Sequence, residues 1–306
     1  MARYKDGKQA AASYTFDDGY SSSARIASIF ESKGLRATFY LVAGAVADAD
    51  WAFWRGLAAK GHEIGNHSMT HQIVMSDPAV TNQVLDNEIN ASQRVIEQRL
   101  GRKPLTFAFP WHQYSDRAVA IALQNHFSVR KLDISDSTYR FAYFDQEHGR
   151  TQAESLLLVN RQLAEAVNLG GWYVAGGHGL DGDGWSPVTS QFLIDHLNYA
   201  QTFSSRLWTD TYVNVARYRQ CRAQVRPVVT TASSSQATIR LSGSFNPAFC
   251  TEPLTVTIPV REALRGQVTA RDATGAAVPV SIVNGALQFD VRPGADVTIQ
   301  VSGAIR

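Results

Sequence analysis

Short apolar runs alternate with amphipathic helical stretches through the first two-thirds of the chain, and no other feature restricts the fold as much. Residues 10–16 are small and aromatic and read as a buried strand. Ile26, Ile29 and Phe30 then recur at helical spacing, with Gly34 as a stop. Residues 35–42 favour β structure, 51–60 a helix, and 61–65 return to a strand. Val84, Leu85, Ile89, Val95 and Ile96 mark a long helix closed by Gly101. Strands over 105–109 and 127–132 flank a helix over 116–124, and a strand over 171–177 precedes a helix over 189–203. A short strand at 206–208 and a helix at 211–222 end the series. Such alternation builds parallel strands with helices outside them, and chemistry in such folds gathers at the strands' carboxyl ends.

Several stretches carry chemistry at those ends. Thr15-Phe16-Asp17-Asp18-Gly19 sets two adjacent carboxylates at the end of the first strand, where Gly19 permits a sharp turn. Burying both carboxylates is costly unless a positive partner is present, and a metal ion is the simplest one. After the 61–65 strand, His67 and His71 stand four apart, a spacing that puts both rings on one face of a helical turn. Alone, the pair is a weak signal that more often marks two surface histidines on a helix than a metal site. With a carboxylate it makes the three-ligand, open donor set of a catalytic zinc centre. Gly171 to Gly179 delivers His178 to the same end, and a group titrating near neutrality suits general-acid work. The Asp-Gly loop 180–187 presents Trp185, either to stack on a sugar or to pack. Residues 133–160 show no period. Asp133, Asp136, Asp145, Glu147 and His148 there read as a polar loop rather than a second metal site.

Thr15–Gly19 followed by His67-Ser68-Met69-Thr70-His71 resembles the first two motifs of the NodB-homology polysaccharide deacetylases, the family-four carbohydrate esterases. The resemblance covers about the first 220 residues. It implies a distorted (β/α)7-type barrel, one divalent metal ion with zinc favoured, and removal of acetyl groups from a polysaccharide. Carried over, Asp17 becomes the general base, Asp18, His67 and His71 the metal ligands, and His178 the general acid. Two positions depart from the pattern. Phe107-Ala108-Phe109-Pro110-Trp111-His112 has Ala108 where the family has an arginine that orients the base, and Arg130 is the candidate substitute. Gly176 stands where the family often has a leucine that lines an acetate pocket. Pro110, Trp111, His112 and Trp185 are the candidate substrate contacts. A metal hydrolase of a small cyclic amide and a non-catalytic glycan-binding relative are the rival readings.

From about residue 227 the pattern changes to short strands broken by turns, Asn284-Gly285 the clearest. The expected organisation is a barrel over 1–226 and a small all-β sandwich over 227–306. Net charge is +2, which implies no nucleic-acid partner, and no apolar run approaches the roughly 20 residues of a membrane span. The N-terminus does not read as a signal peptide. An acetylated polymer as substrate nevertheless points to an exported enzyme whose leader has been removed. The two cysteines, Cys221 and Cys250, are then candidates for a disulfide joining sandwich to barrel.

Overall fold

The computed structural model describes residues 1–132, 134–144, 150–259 and 267–302. Asp133, Asp145, Glu147 and His148 lie outside the described residues. Asp136 accepts bonds from the backbone and hydroxyl of Thr138, a local turn. The chain divides into two compact units, one of residues 11–214 and one of residues 1–10 with 215–306.

The first unit is a curled half-barrel of seven parallel strands. They are β1 (Ala10–Asp18), β2 (Thr38–Leu41), β3 (Glu63–Asn66), β4 (Thr106–Ala108), β5 (Ser128–Arg130), β6 (Arg140–Phe144) and β7 (Trp172–Gly177). Their spatial order is β5-β4-β3-β2-β1-β7-β6, and β8 (Leu207–Thr209) also pairs with β1. Strand β1 is central and buried until Asp18, which explains its unbroken run of small and aromatic residues. Its helices are α1 (Ser23–Ser32), α2 (Trp51–Ala59), α3 (Asn82–Asp86), α4 (Ser92–Leu100), α5 (Asp116–Leu123), α6 (Gln152–Leu169), α7 (Ser190–Gln201) and the start of α8 (Tyr212–Gln224). Between α3 and α4 the backbone widens into a π-helical turn, Asn87–Ala91. Leu85 and Ile89 from this stretch pack with Phe107, Phe109, Ile121 and Val129 under the sheet.

Two elements were not legible in the sequence. Strand β6 and helix α6 fall where no period was visible. Helix α6 does carry a start signal: Thr151 accepts from the Glu154 backbone while Glu154 accepts from that of Thr151.

Among the described residues, the second unit is all-β apart from the end of α8 and one N-terminal turn, Lys5–Gly7. Its strands run from β9 (Val225–Ala232) to β16 (Asp296–Ser302) and form a five-stranded and a three-stranded sheet, antiparallel throughout the described pairings. The polar stretch after residue 227 is therefore a strand. Residues 1–10 join this unit, with Ala2 N donating to the Thr255 carbonyl at 2.8 Å. Cys221 and Cys250 are bonded, with Cα atoms 5.5 Å apart. Both belong to this unit, because the latter half of α8 does, so the bridge closes within it. No described helix is long and apolar enough to cross a membrane.

Candidate active site

Strand β1 ends in a left-handed pair, Asp18 at φ 71° and Gly19 at φ 78°. A side chain at Gly19 would be strained at that φ, and its Cβ would press on the Leu41 side chain at 2.9 Å, so glycine suits the turn. Neighbouring residues on a regular strand face opposite ways. The turn brings both carboxylates to one imidazole: His67 Nε2 lies 3.7 Å from Asp17 Oδ2 and 3.6 Å from Asp18 Oδ1. His71 Nε2 lies 3.7 Å from the same Asp18 oxygen.

His67 and His71 do not sit on a helical turn, contrary to the expectation from their spacing. They flank an irregular loop in which Ser68 and His71 are left-handed, at φ 78° and 57°. Side chains hold that loop. Asn66 accepts from Ser68 N, Ser68 Oγ accepts from His71 N, and Glu88 accepts from both the backbone and hydroxyl of Thr70. Glu88 comes from the π-helical turn, so the irregularity of that helix serves the histidine loop. His67 Nδ1 donates to the Ala108 carbonyl at 2.8 Å, which leaves the Nε2 lone pair facing the carboxylates. Burial lowers the His67 pKa, Asp17 and Asp18 partly opposing it.

Asp18, His67 and His71 offer one ligand atom each, all within 4.8 Å of one another. Asp18 Oδ1 is buried and has no hydrogen-bond partner. An orphaned carboxylate oxygen facing two imidazole nitrogens fits a divalent cation with nitrogen preference.

Asp17 has a different partner. Arg130, fully buried at the end of β5, donates Nη1 to Asp17 Oδ1 at 2.7 Å and Nη2 to Oδ2 at 2.5 Å. Nη1 also donates to Thr15 Oγ1 at 2.7 Å, and the guanidinium lies over the rings of Tyr40 and Phe141. Burial would raise the Asp17 carboxyl, but Arg130, assisted by His67, outweighs it and holds the group well below the usual carboxylate range. In the parallel register of β4 and β5, Arg130 stands directly beside Ala108.

Asp17, Asp18, His67, His71, Trp111, His112, His178 and Trp185 all line one cavity of about 790 Å³. Pro110 is buried and is not among its lining residues; Arg130 stands behind Asp17. Trp111 packs edge-on against His71 and Trp185 edge-on against His178. Each tryptophan is 49% exposed, which favours a ligand-facing surface over core packing. The Asp residues of the 180–187 loop fold it: Asp181 accepts from Ser190, and Asp183 from Ser21 and Ser22. Tyr20, Thr70, Gln72 and Tyr143 also line the cavity, and the sequence had singled out none of them. Burial and the Asp18 carboxylate push the Tyr20 phenol up to about 12.

Residues 4–129 match the family described as polysaccharide deacetylase. Over those residues the chain is similar to the polysaccharide deacetylases. A Bacillus gellan lyase is 26% identical over 289 residues, 86% of this chain but 11% of that protein, so the chain spans about a tenth of its length. Among solved structures, a CE4 family pseudoenzyme from Bacillus anthracis superposes with a TM-score of 0.52 at 17% identity, over 71% of this chain and 68% of that one. A peptidoglycan N-acetylglucosamine deacetylase gives 0.50 at 19%, over 68% and 88%. Both likenesses are of fold. Ala108 and Gly176, the two positions that depart from the expected pattern, each have a neighbour that reaches the space beside them. Arg130, the register neighbour of Ala108, donates to Asp17, and a Cβ at Gly176 would fall 2.6 Å from the Phe141 ring.

Proposed function

We propose that the chain is a metal-dependent hydrolase that removes acetyl groups from a polysaccharide. The observation that carries the reading is the difference between adjacent carboxylates: Asp17 is engaged by Arg130, while Asp18 turns a partnerless Oδ1 toward two imidazoles. Asp18, His67 and His71 would hold the ion, and zinc suits one carboxylate with two imidazoles. When bound, it would supply Lewis-acid polarisation and a water of lowered pKa. Asp17, kept ionised by Arg130, takes the proton of the water that attacks the acetyl carbonyl. His178 protonates the departing amine or alcohol. A backbone N–H in the 110–111 turn stabilises the oxyanion, and Trp111 and Trp185 flank the sugar. Export to an oxidising compartment belongs to the same proposal, and the disulfide supports it.

The test is acetate release by zinc-loaded protein across chitin-like, peptidoglycan, exopolysaccharide and acetylated xylan polymers, beside Asp17→Asn. Release by the wild type and its loss in the variant are expected. Hydrolysis of a small cyclic amide without acetate release would favour the rival hydrolase. The non-catalytic relative is kept in view by the pseudoenzyme fold neighbour, and inactivity on every substrate would favour it.

A further inference from the structure

His112 is held in a conformation that needs a reason. It and Trp111 are consecutive left-handed residues, at φ 56° and 51°, in the turn Pro110–His112. Such conformations are strained for residues with a Cβ, and they gather at functional sites. Glycine would adopt φ 56° without that strain. The ring is fixed edge-on between Phe141 (centroids 5.1 Å) and Tyr143 (5.5 Å). Phe141 in turn occupies the space that any side chain at Gly176 would fill.

The chemistry of the ring is equally constrained. Nδ1 is buried without a hydrogen-bond partner, while the ring lines the active-site cavity. Burial beside Arg130 drives its pKa down to about 3, so the imidazole is neutral at any working pH. A neutral imidazole has one N–H and one lone pair. Nδ1 is the buried, partnerless nitrogen, and a buried N–H without acceptor is the costlier orphan. The single N–H therefore belongs on Nε2.

We propose that His112 is a catalytic residue: a neutral imidazole, set by Phe141, whose Nε2–H hydrogen-bonds the acyl oxygen as negative charge develops on it. The role rests on the deacetylase reading and adds a side-chain donor to the backbone N–H assigned there. No proton is transferred, so the ring starts and ends neutral.

The decisive variant is His112→Gly, because it relieves the backbone. Its melting temperature should equal or exceed that of the wild type, while kcat for acetate release falls roughly a hundredfold to a thousandfold, the usual effect of losing one oxyanion donor. KM should change much less, and added imidazole should restore part of the lost rate. Long-range 1H–15N spectra should show His112 as the neutral Nε2–H tautomer at pH 5. Wild-type kcat in His112→Gly, or a rate loss that imidazole does not repair, would overturn the assignment alone, as would the Nδ1–H tautomer. Absence of acetate release by the wild type on every polymer would overturn the deacetylase reading and the assignment with it.

Discussion

Replacing Arg130 by Met removes the charge from the Asp17 pair and keeps most of the apolar stem. The structure gives the sign of the result. Burial pushes the Asp17 pKa up and Arg130 more than cancels it, so without Arg130 the desolvation is less opposed and the pKa rises. Breaking a buried ion pair from one side costs about 3–5 kcal/mol when the remaining charge stays ionised. Protonation of Asp17 caps that cost, so the stability loss is greater at pH 8 than at pH 4. Turnover should fall roughly tenfold to a thousandfold, about 1.4–4 kcal/mol in barrier. The acid limb of kcat/KM should move to higher pH, because more of the base is protonated. Metal content should not change, since Asp18, His67 and His71 do not touch Arg130 in the pairings seen. Arg130→Lys should recover only part of the loss, because an ammonium cannot repeat the two-pronged contact. Chemical denaturation at the two pH values, a pH–rate profile and metal analysis cover these outcomes. An Arg130→Met protein with wild-type stability and an unshifted acid limb would refute the reasoning.

Three further predictions stand on separate observations. His71→Ala should lose most of its bound zinc on dialysis, measured by metal analysis; content equal to wild type would remove His71 from the ligand set. Replacing Cys221 and Cys250 by Ser, which opens a link across a sequence separation of 29, should cost on the order of 3–4 kcal/mol in denaturant titrations of the unit that contains both; an unchanged midpoint would count against it. Burial lowers the pKa of His126 to about 4 and of His196 to about 3, so both fold neutral while the unfolded chain protonates them near about 6.5. Stability should then fall with pH from about 6.5 down to each folded value, by about 1.4 kcal/mol per pH unit for each histidine. His196→Gln should show a shallower slope between pH 6.5 and 4, and an identical slope would contradict it.

Which residues gather at the site was more legible than how they meet there. Asp17, Asp18, His67, His71 and His178 stand at strand ends, and strand ends can be read from apolar runs. How His67 and His71 converge could not be read, because their spacing fits a helix as well as the loop that forms. That loop depends on Asn66, Ser68 and Glu88, whose partners lie up to 18 residues away. Strand β6 was missed because it is short and followed by residues without periodicity. Its loss hid Phe141 and Tyr143, and with them the setting of His112. The N-terminal residues joined the all-β unit through backbone pairing, which leaves no mark in side-chain pattern.

Two requirements meet at the ends of β4 and β5, and they explain why position 108 can lack an arginine. His67 Nδ1 needs an acceptor so that Nε2 faces the carboxylates, and Asp17 needs a buried cation so that it stays ionised. The first is met by the carbonyl of residue 108, which any amino acid would supply. The side chain there is thus free to vary so long as the second requirement is met from elsewhere. Arg130 is the register neighbour of Ala108 in the parallel pair, so its guanidinium reaches the same carboxylate from one strand over. The small Ala108 side chain leaves the guanidinium without a competing bulky neighbour at that register position. Gly176 and Phe141 repeat the logic across β6 and β7, where a ring from one strand takes the space left by its neighbour. Function at such a site depends on charge and volume at a point in space, and parallel register lets adjacent strands exchange the residue that provides them.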